Sequence, residues 1–185
     1  MFGNLLASQS VTQGSVFFNR DRASGHCIAV DPWFIVASTP EEARLVRAAR
    51  AINDEKPLWV INKVKQAMGD YLVANPDMTM RDVKVACLGL AFKPNVNDFR
   101  ESPALLITQT LAGEGINLLA VEPHIEALPE SLARRSNVAL ATLDRAIKES
   151  DILLVLVAHN AFRTIERSNI GHDYIVDTVG LWRQT

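Results

Sequence analysis

Apolar and polar residues alternate along this chain in two different rhythms. In the first, Ala43, Leu45, Val46, Ala49 and Ile52 recur at helical spacing, and the pattern resumes through Leu58, Val60, Ile61, Val64, Met68, Tyr71 and Leu72. Thr39-Pro40-Glu41-Glu42 predicts its start, with Thr39 as N-cap, Pro40 at the first helical position and acidic residues in the first turn. Pro57 interrupts the run, which is therefore one kinked helix or two. A helical run of roughly 30 residues is long for a small domain. A second subunit is the natural body to lie beside it; the alternative is a helix that straddles its own domain.

Beyond Asn75–Met80, a linker by composition, the rhythm changes. Short apolar runs at Val83–Leu88, Ile116–Val121, Val138–Leu140, Asp151–Val157 and Tyr174–Asp177 predict strands. Between them lie helices at Pro103–Ala112, Leu143–Glu149 (capped by Thr142) and Phe162–Ser168. Strand–helix alternation of this kind predicts an α/β fold, a Rossmann-like doubly wound parallel sheet. Ligands of such sheets bind beyond the carboxyl ends of the strands. The loops that meet there are Gly89–Ser102, Glu122-Pro-His124, Ala158-His-Asn160 and Asp177–Gly180. Residues 1–24 sustain no period. Apart from a short strand at Val16–Phe18, they read as a poorly ordered lead-in.

One connection carries chemistry. The run from Leu88 to Ala104 leaves a strand, turns polar through Pro94, Asn95, Asn97 and Asp98, and enters a helix at Ser102-Pro103. Lys93 and Arg100 supply cations, and the helix start supplies free N–H groups, so the stretch suits an anion. The other reading is an ordinary βα connection whose Lys and Arg stay in water. No G-x-G-x-x-G follows the first strand, which makes the domain a poor host for a redox dinucleotide.

Composition narrows the class further. A net charge of −2 over 185 residues gives no electrostatic bias toward nucleic acid or membrane. No apolar run of about 18 residues is present to span a bilayer, and the first residues lack a basic secretory start. Cys27 and Cys87 are too few for a disulfide framework, and a reducing cytoplasm is the expected location. Cys87, inside a strand run, is expected to be a small buried hydrophobe. The four histidines show no ligand-like spacing, so no metal is expected.

Two motifs in order, Gly25-His-Cys-Ile-Ala-Val-Asp-Pro-Trp-Phe34 and Gly89-Leu-Ala-Phe-Lys-Pro-Asn-x-x-Asp-x-Arg-Glu-Ser-Pro103, resemble the UDP-glucose/GDP-mannose dehydrogenase family. The Gly-His-Cys form is most similar to its UDP-N-acetylmannosamine branch. The resemblance implies NAD-dependent oxidation of a UDP-sugar C6 alcohol to the uronic acid, in polysaccharide biosynthesis. It also implies a helical dimerisation segment over 25–78 and a UDP-binding domain over 79–185. By that resemblance Cys27 is the nucleophile, Asp31 handles water and Asn53 lies near the reacting centre. Gly25, Phe92, Lys93 and Arg100 meet the UDP-sugar, with Lys93 the principal contact and Arg100 together with Glu101 partly structural. Read from the residues alone, Cys27 remains a plain buried thiol and Asp31 a turn residue before Pro32.

The departures also count. The family's NAD-binding domain has no counterpart here, Arg22-Ala-Ser24 replaces a glycine-rich run, and Val179 stands where relatives often carry a basic residue. The expectation is a truncated dehydrogenase that keeps UDP-sugar binding and homodimerisation, binds no NAD alone and lacks autonomous catalysis. The alternative is a stand-alone dimerisation or interaction module built on the old fold.

Overall fold

Every strand-like run after residue 82 becomes a strand of one sheet. In the computed structural model, which describes residues 27–167 and 170–182, β1 (Lys84–Leu88), β2 (Asn117–Val121), β3 (Val138–Leu140), β4 (Ile152–Val155) and β5 (Ile175–Asp177) pair in parallel, in the order β3-β2-β1-β4-β5. Successive side chains of a strand point to opposite faces. Val85, Cys87, Leu118, Ala120, Ile152 and Leu154 therefore build one core, while Ala86, Leu88, Leu119, Val121, Leu153 and Val155 build the other. Continuous apolar runs are what a sheet covered on both faces requires.

Helices α3 (Pro103–Gly113) and α4 (Glu130–Ala133) cover the first face. Helices α5 (Leu143–Glu149) and α6 (Asn160–Arg163) cover the second. The caps at α3 and α5 form as the sequence predicts: Ser102 Oγ accepts from Leu105 N and Thr142 Oγ1 from Arg145 N. Helix α6 starts and stops earlier than its apolar pattern suggests, and Ser168 lies outside the described residues. The four-residue α4 has no sequence period long enough to reveal it.

The long pattern forms one helix, α2 (Arg44–Ala74), 31 residues that continue through Pro57, and the apolar stretch ahead of it forms a separate helix, α1 (Cys27–Ser38). Asp31 accordingly lies inside a helix and not in a turn. The predicted N-cap is also corrected. Thr39 Oγ1 donates to the Ile35 carbonyl at 3.1 Å, closing α1, and α2 begins at Arg44 with no side-chain cap. A hydroxyl next to the end of one helix has its nearest free acceptor behind it, and here that local bond wins.

Only the second half of α2 enters the core, through Val60, Ile61, Val64 and Met68. Tyr71 fixes it there: its hydroxyl donates to Asp151 Oδ1 at 2.7 Å, while Asp151 Oδ2 accepts from Lys84 N at 2.8 Å. Tyr71 and Tyr174 meet edge to face at 5.4 Å, and Lys65 pairs with Glu114 at 2.7 Å. No helix among the described residues is long and apolar enough to cross a membrane.

Candidate functional site at the carboxyl edge of the sheet

The sheet changes its winding direction between β1 and β4, because β2 and β3 lie to one side of β1 while β4 and β5 lie to the other. At such a point the loops that follow neighbouring strands diverge and leave a crevice. The β1–α3 loop, residues 89–102, lies on one side of it and the loop after β4 on the other. Gly89 makes the first turn possible. Its φ is +90°, and a Cβ there would lie 2.4 Å from the Cβ of Val157, so no other residue fits without moving backbone.

Beyond Gly89 the loop is tied at several points. Leu90 N and Ala91 N donate to Glu122 Oε2 at 2.8 and 3.1 Å. Phe92 N donates to Asp98 O at 2.8 Å, closing the loop on itself. Asn95, in the left-handed region at φ 61°, donates its N–H to His159 Nδ1 at 2.9 Å, and its Oδ1 accepts from Asn160 N at 2.9 Å. Ser102 Oγ donates to Leu90 O at 2.7 Å, joining the far end of the loop to its start. Between these ties Lys93 is exposed and Phe92 half-buried.

Glu122 and His159 are both buried, and His159 Nε2 lies 3.2 Å from Glu122 Oε2. Burial alone would push the Glu122 carboxyl up. The bond from His159 and those from the Leu90 and Ala91 N–H groups outweigh this and hold it below its ordinary value of 4.5. One carboxylate oxygen thus meets three donors. The ring must then carry its proton on Nε2 and present Nδ1 as acceptor to Asn95. His124 joins the cluster from the exposed side, its ring 5.3 Å from that of His159.

Two histidines far apart in sequence therefore meet, and the ligand-capable atoms of Glu122, His124 and His159 lie within 4.8 Å of one another. The bonding is unsuited to a metal. A cation would need a lone pair on His159, whose Nδ1 already serves Asn95 and whose Nε2 proton already serves Glu122. The Leu90 and Ala91 N–H groups at the mouth of the first loop are taken by Glu122, so a phosphate at this edge would rely on side-chain cations.

Arg100 is exposed and gripped by Asp98, with Nε to Oδ1 at 3.0 Å and Nη2 to Oδ2 at 2.8 Å. Glu101 takes φ 52°, a costly conformation for a side chain of its size, in the residue before the α3 cap. Cys87 is buried in β1, and burial pushes its thiol up to about 12, so it is inert. Beside the loop, Asn97, Phe99, His124, Ile125 and Glu126 line an open cleft of about 550 Å³.

The remaining predicted residues belong to the helices. Cys27 heads α1, Asp31 follows one turn along and is exposed, and Asn53 is half-buried on α2. Gly25, the lead-in 1–24 and the Cys27 side chain lie outside the described residues. Sequence reasoning placed the loops of Glu122 and His159 at this edge without seeing that the two residues pair. A glutamate directly after a wholly apolar strand was the available signal.

The family model "UDP-glucose/GDP-mannose dehydrogenase family, UDP binding domain" matches residues 86–184. A UDP-N-acetyl-D-mannosamine dehydrogenase of Escherichia coli (strain K12) is 50% identical over 163 residues, covering 86% of this chain and 37% of that protein. An NDP-N-acetyl-D-galactosaminuronic acid dehydrogenase of Ralstonia nicotianae is 43% identical over 159 residues, covering 85% of this chain and 35% of that one. Among solved structures, a UDP-N-acetyl-mannosamine dehydrogenase of S. aureus superposes with a TM-score of 0.63 at 32% identity, over 88% of this chain and 36% of its own. The chain thus spans little more than a third of the length of the relatives it matches.

Proposed function

From the premise that the chain belongs to the UDP-glucose/GDP-mannose dehydrogenase family, we propose that it binds the UDP part of a UDP-sugar at the carboxyl edge of the sheet. Lys93 is the principal contact, beside Phe92, and UDP-N-acetylmannosamine or a related sugar is the ligand. The observation that carries this reading is the Phe92-Lys93 corner: an exposed cation on a loop tied down on both flanks. A cation on a preordered loop binds phosphate without the entropic cost of ordering it. Arg100, already neutralised by Asp98, serves to hold the loop and meets the ligand at most through its outer N–H groups.

The family's oxidation would place Cys27 as the nucleophile that traps the C6 aldehyde as a thiohemiacetal. Asp31 and Asn53 would handle water and orient the reacting carbon. A thiol in that role suits a reducing cytoplasm. The hydride acceptor is NAD in the family, and these 185 residues hold no fingerprint for it. Oxidation is therefore expected only with a dinucleotide-binding domain in place. The exposed residues Phe34, Ile35, Leu45, Ile52 and Leu58 along α1 and the first half of α2 support homodimerisation through the long helix.

Calorimetry with UDP and UDP-N-acetylmannosamine tests the binding site. Saturable binding is expected, weakened about tenfold by Lys93→Ala through loss of one charge-assisted contact. No heat at millimolar ligand with folded protein would remove the reading. NADH formation by these 185 residues should stay flat, and measurable turnover would overturn the assignment of the oxidation to a further domain.

A further inference from the structure

The loop that carries Lys93 is held from beneath by two residues that never reach solvent. Glu122 takes the N–H groups of Leu90 and Ala91 on one flank, and His159 takes that of Asn95 on the other. The two holders are themselves joined at 3.2 Å. We propose that Glu122 and His159 are positioning residues for nucleotide binding, a buried carboxylate–imidazole pair whose proton arrangement fixes the corner that presents Lys93. The inference rests on the UDP-binding reading above.

The polarity of the pair runs one way. Oε2 of Glu122 already accepts two backbone N–H bonds, and the imidazole donates its Nε2–H to the same oxygen. Nδ1 is then a lone pair, and only a lone pair can receive the Asn95 N–H at 2.9 Å. Asn95 is already in the left-handed region and is tied again through Asn160, so it has one well-defined geometry to lose. Phe162 packs against the His159 ring at 5.2 Å with the two ring planes nearly perpendicular. A purely structural pair would need only to fill space and satisfy its own polar atoms. This one also passes the charge state of Glu122 to the backbone two residues from Lys93.

Two substitutions separate these roles. In His159→Asn the side-chain oxygen can take the place of Nδ1 and keep Asn95, while the bond to Glu122 is lost. In His159→Gln the amide nitrogen can take the place of Nε2 and keep Glu122, while Asn95 loses its acceptor. With the folded fractions matched by circular dichroism, calorimetry with UDP is expected to place His159→Asn between wild type and His159→Gln. His159→Gln should bind about tenfold more weakly, the loss of one oriented hydrogen bond. Equal affinities for the two variants, with wild type binding, would overturn the positioning role alone. No binding by wild type would instead remove the UDP reading and this proposal with it. If neither variant folds, long-range proton–nitrogen spectra of the 15N-labelled wild-type chain decide. A proton on Nε2 with Nδ1 bare is expected for His159, and a proton on Nδ1 would overturn the proposal.

Discussion

The two halves of α2 are built from the same kinds of residue and meet opposite surroundings. Val60, Ile61, Val64 and Met68 are no more than 4% exposed, whereas Leu45, Ile52 and Leu58 are 81%, 56% and 59% exposed. Helical spacing of apolar residues marks a face that wants cover and says nothing of what supplies it. The inner half is covered by the sheet and α3; the outer half meets α1 and otherwise faces water. The inner half therefore belongs energetically to the sheet domain, and the outer half is the part proposed above for association.

Substitutions on the two halves should part company accordingly. Met68→Ala, which empties a fully buried site against the sheet, is expected to cost about 3 kcal/mol in urea unfolding. An effect under about 1 kcal/mol would mean that the inner half is not core. Tyr71→Phe removes the hydroxyl that joins α2 to Asp151 and should cost about 1 kcal/mol at neutral pH. That cost has a definite pH dependence. The hydrogen bond to Asp151, together with burial and the nearby negative charge, raises the Tyr71 hydroxyl from 10.0 to about 12 in the fold. A raised value means that the folded state holds the proton more tightly. The stabilisation is therefore complete below pH 10 and fades as pH climbs toward 12, so wild type and Tyr71→Phe should converge there. A gap that stays constant across that range would detach the effect from the hydroxyl proton. Smallest of all, Leu45→Ala should change unfolding by less than about 0.5 kcal/mol. Its companion Ile52→Glu should leave unfolding equally untouched while shifting the mass in light scattering from dimer to monomer. A monomeric wild type would remove the dimer reading.

The same contrast explains what could be read from the residues alone. The strands were legible because a sheet buried on both faces admits little except Val, Leu, Ile, Ala and Cys, as in Lys84–Leu88 and Ile152–Val155. The α3 and α5 caps were legible because Ser102 and Thr142 act on backbone three residues away. Thr39 misled because its hydroxyl had a competing acceptor behind it, which the order of residues does not reveal. The Glu122–His159 pair spans 37 residues, and only the strand order brings the two together. Lys93 was legible from its place in a polar strand-to-helix loop and from the motif, whereas the bonds that hold its loop required the fold.

The Tyr71–Asp151–Lys84 fastening has a mechanical consequence. It clamps α2 at the amino edge of the sheet, opposite the edge where Lys93 lies. The part of the helix ahead of Pro57 is then a cantilever of about 20 Å at 1.5 Å per residue. Its root is fastened to the sheet, and along its outer part it meets α1. Whatever seats on that beam would be carried by the same helix that the sheet grips through Tyr71.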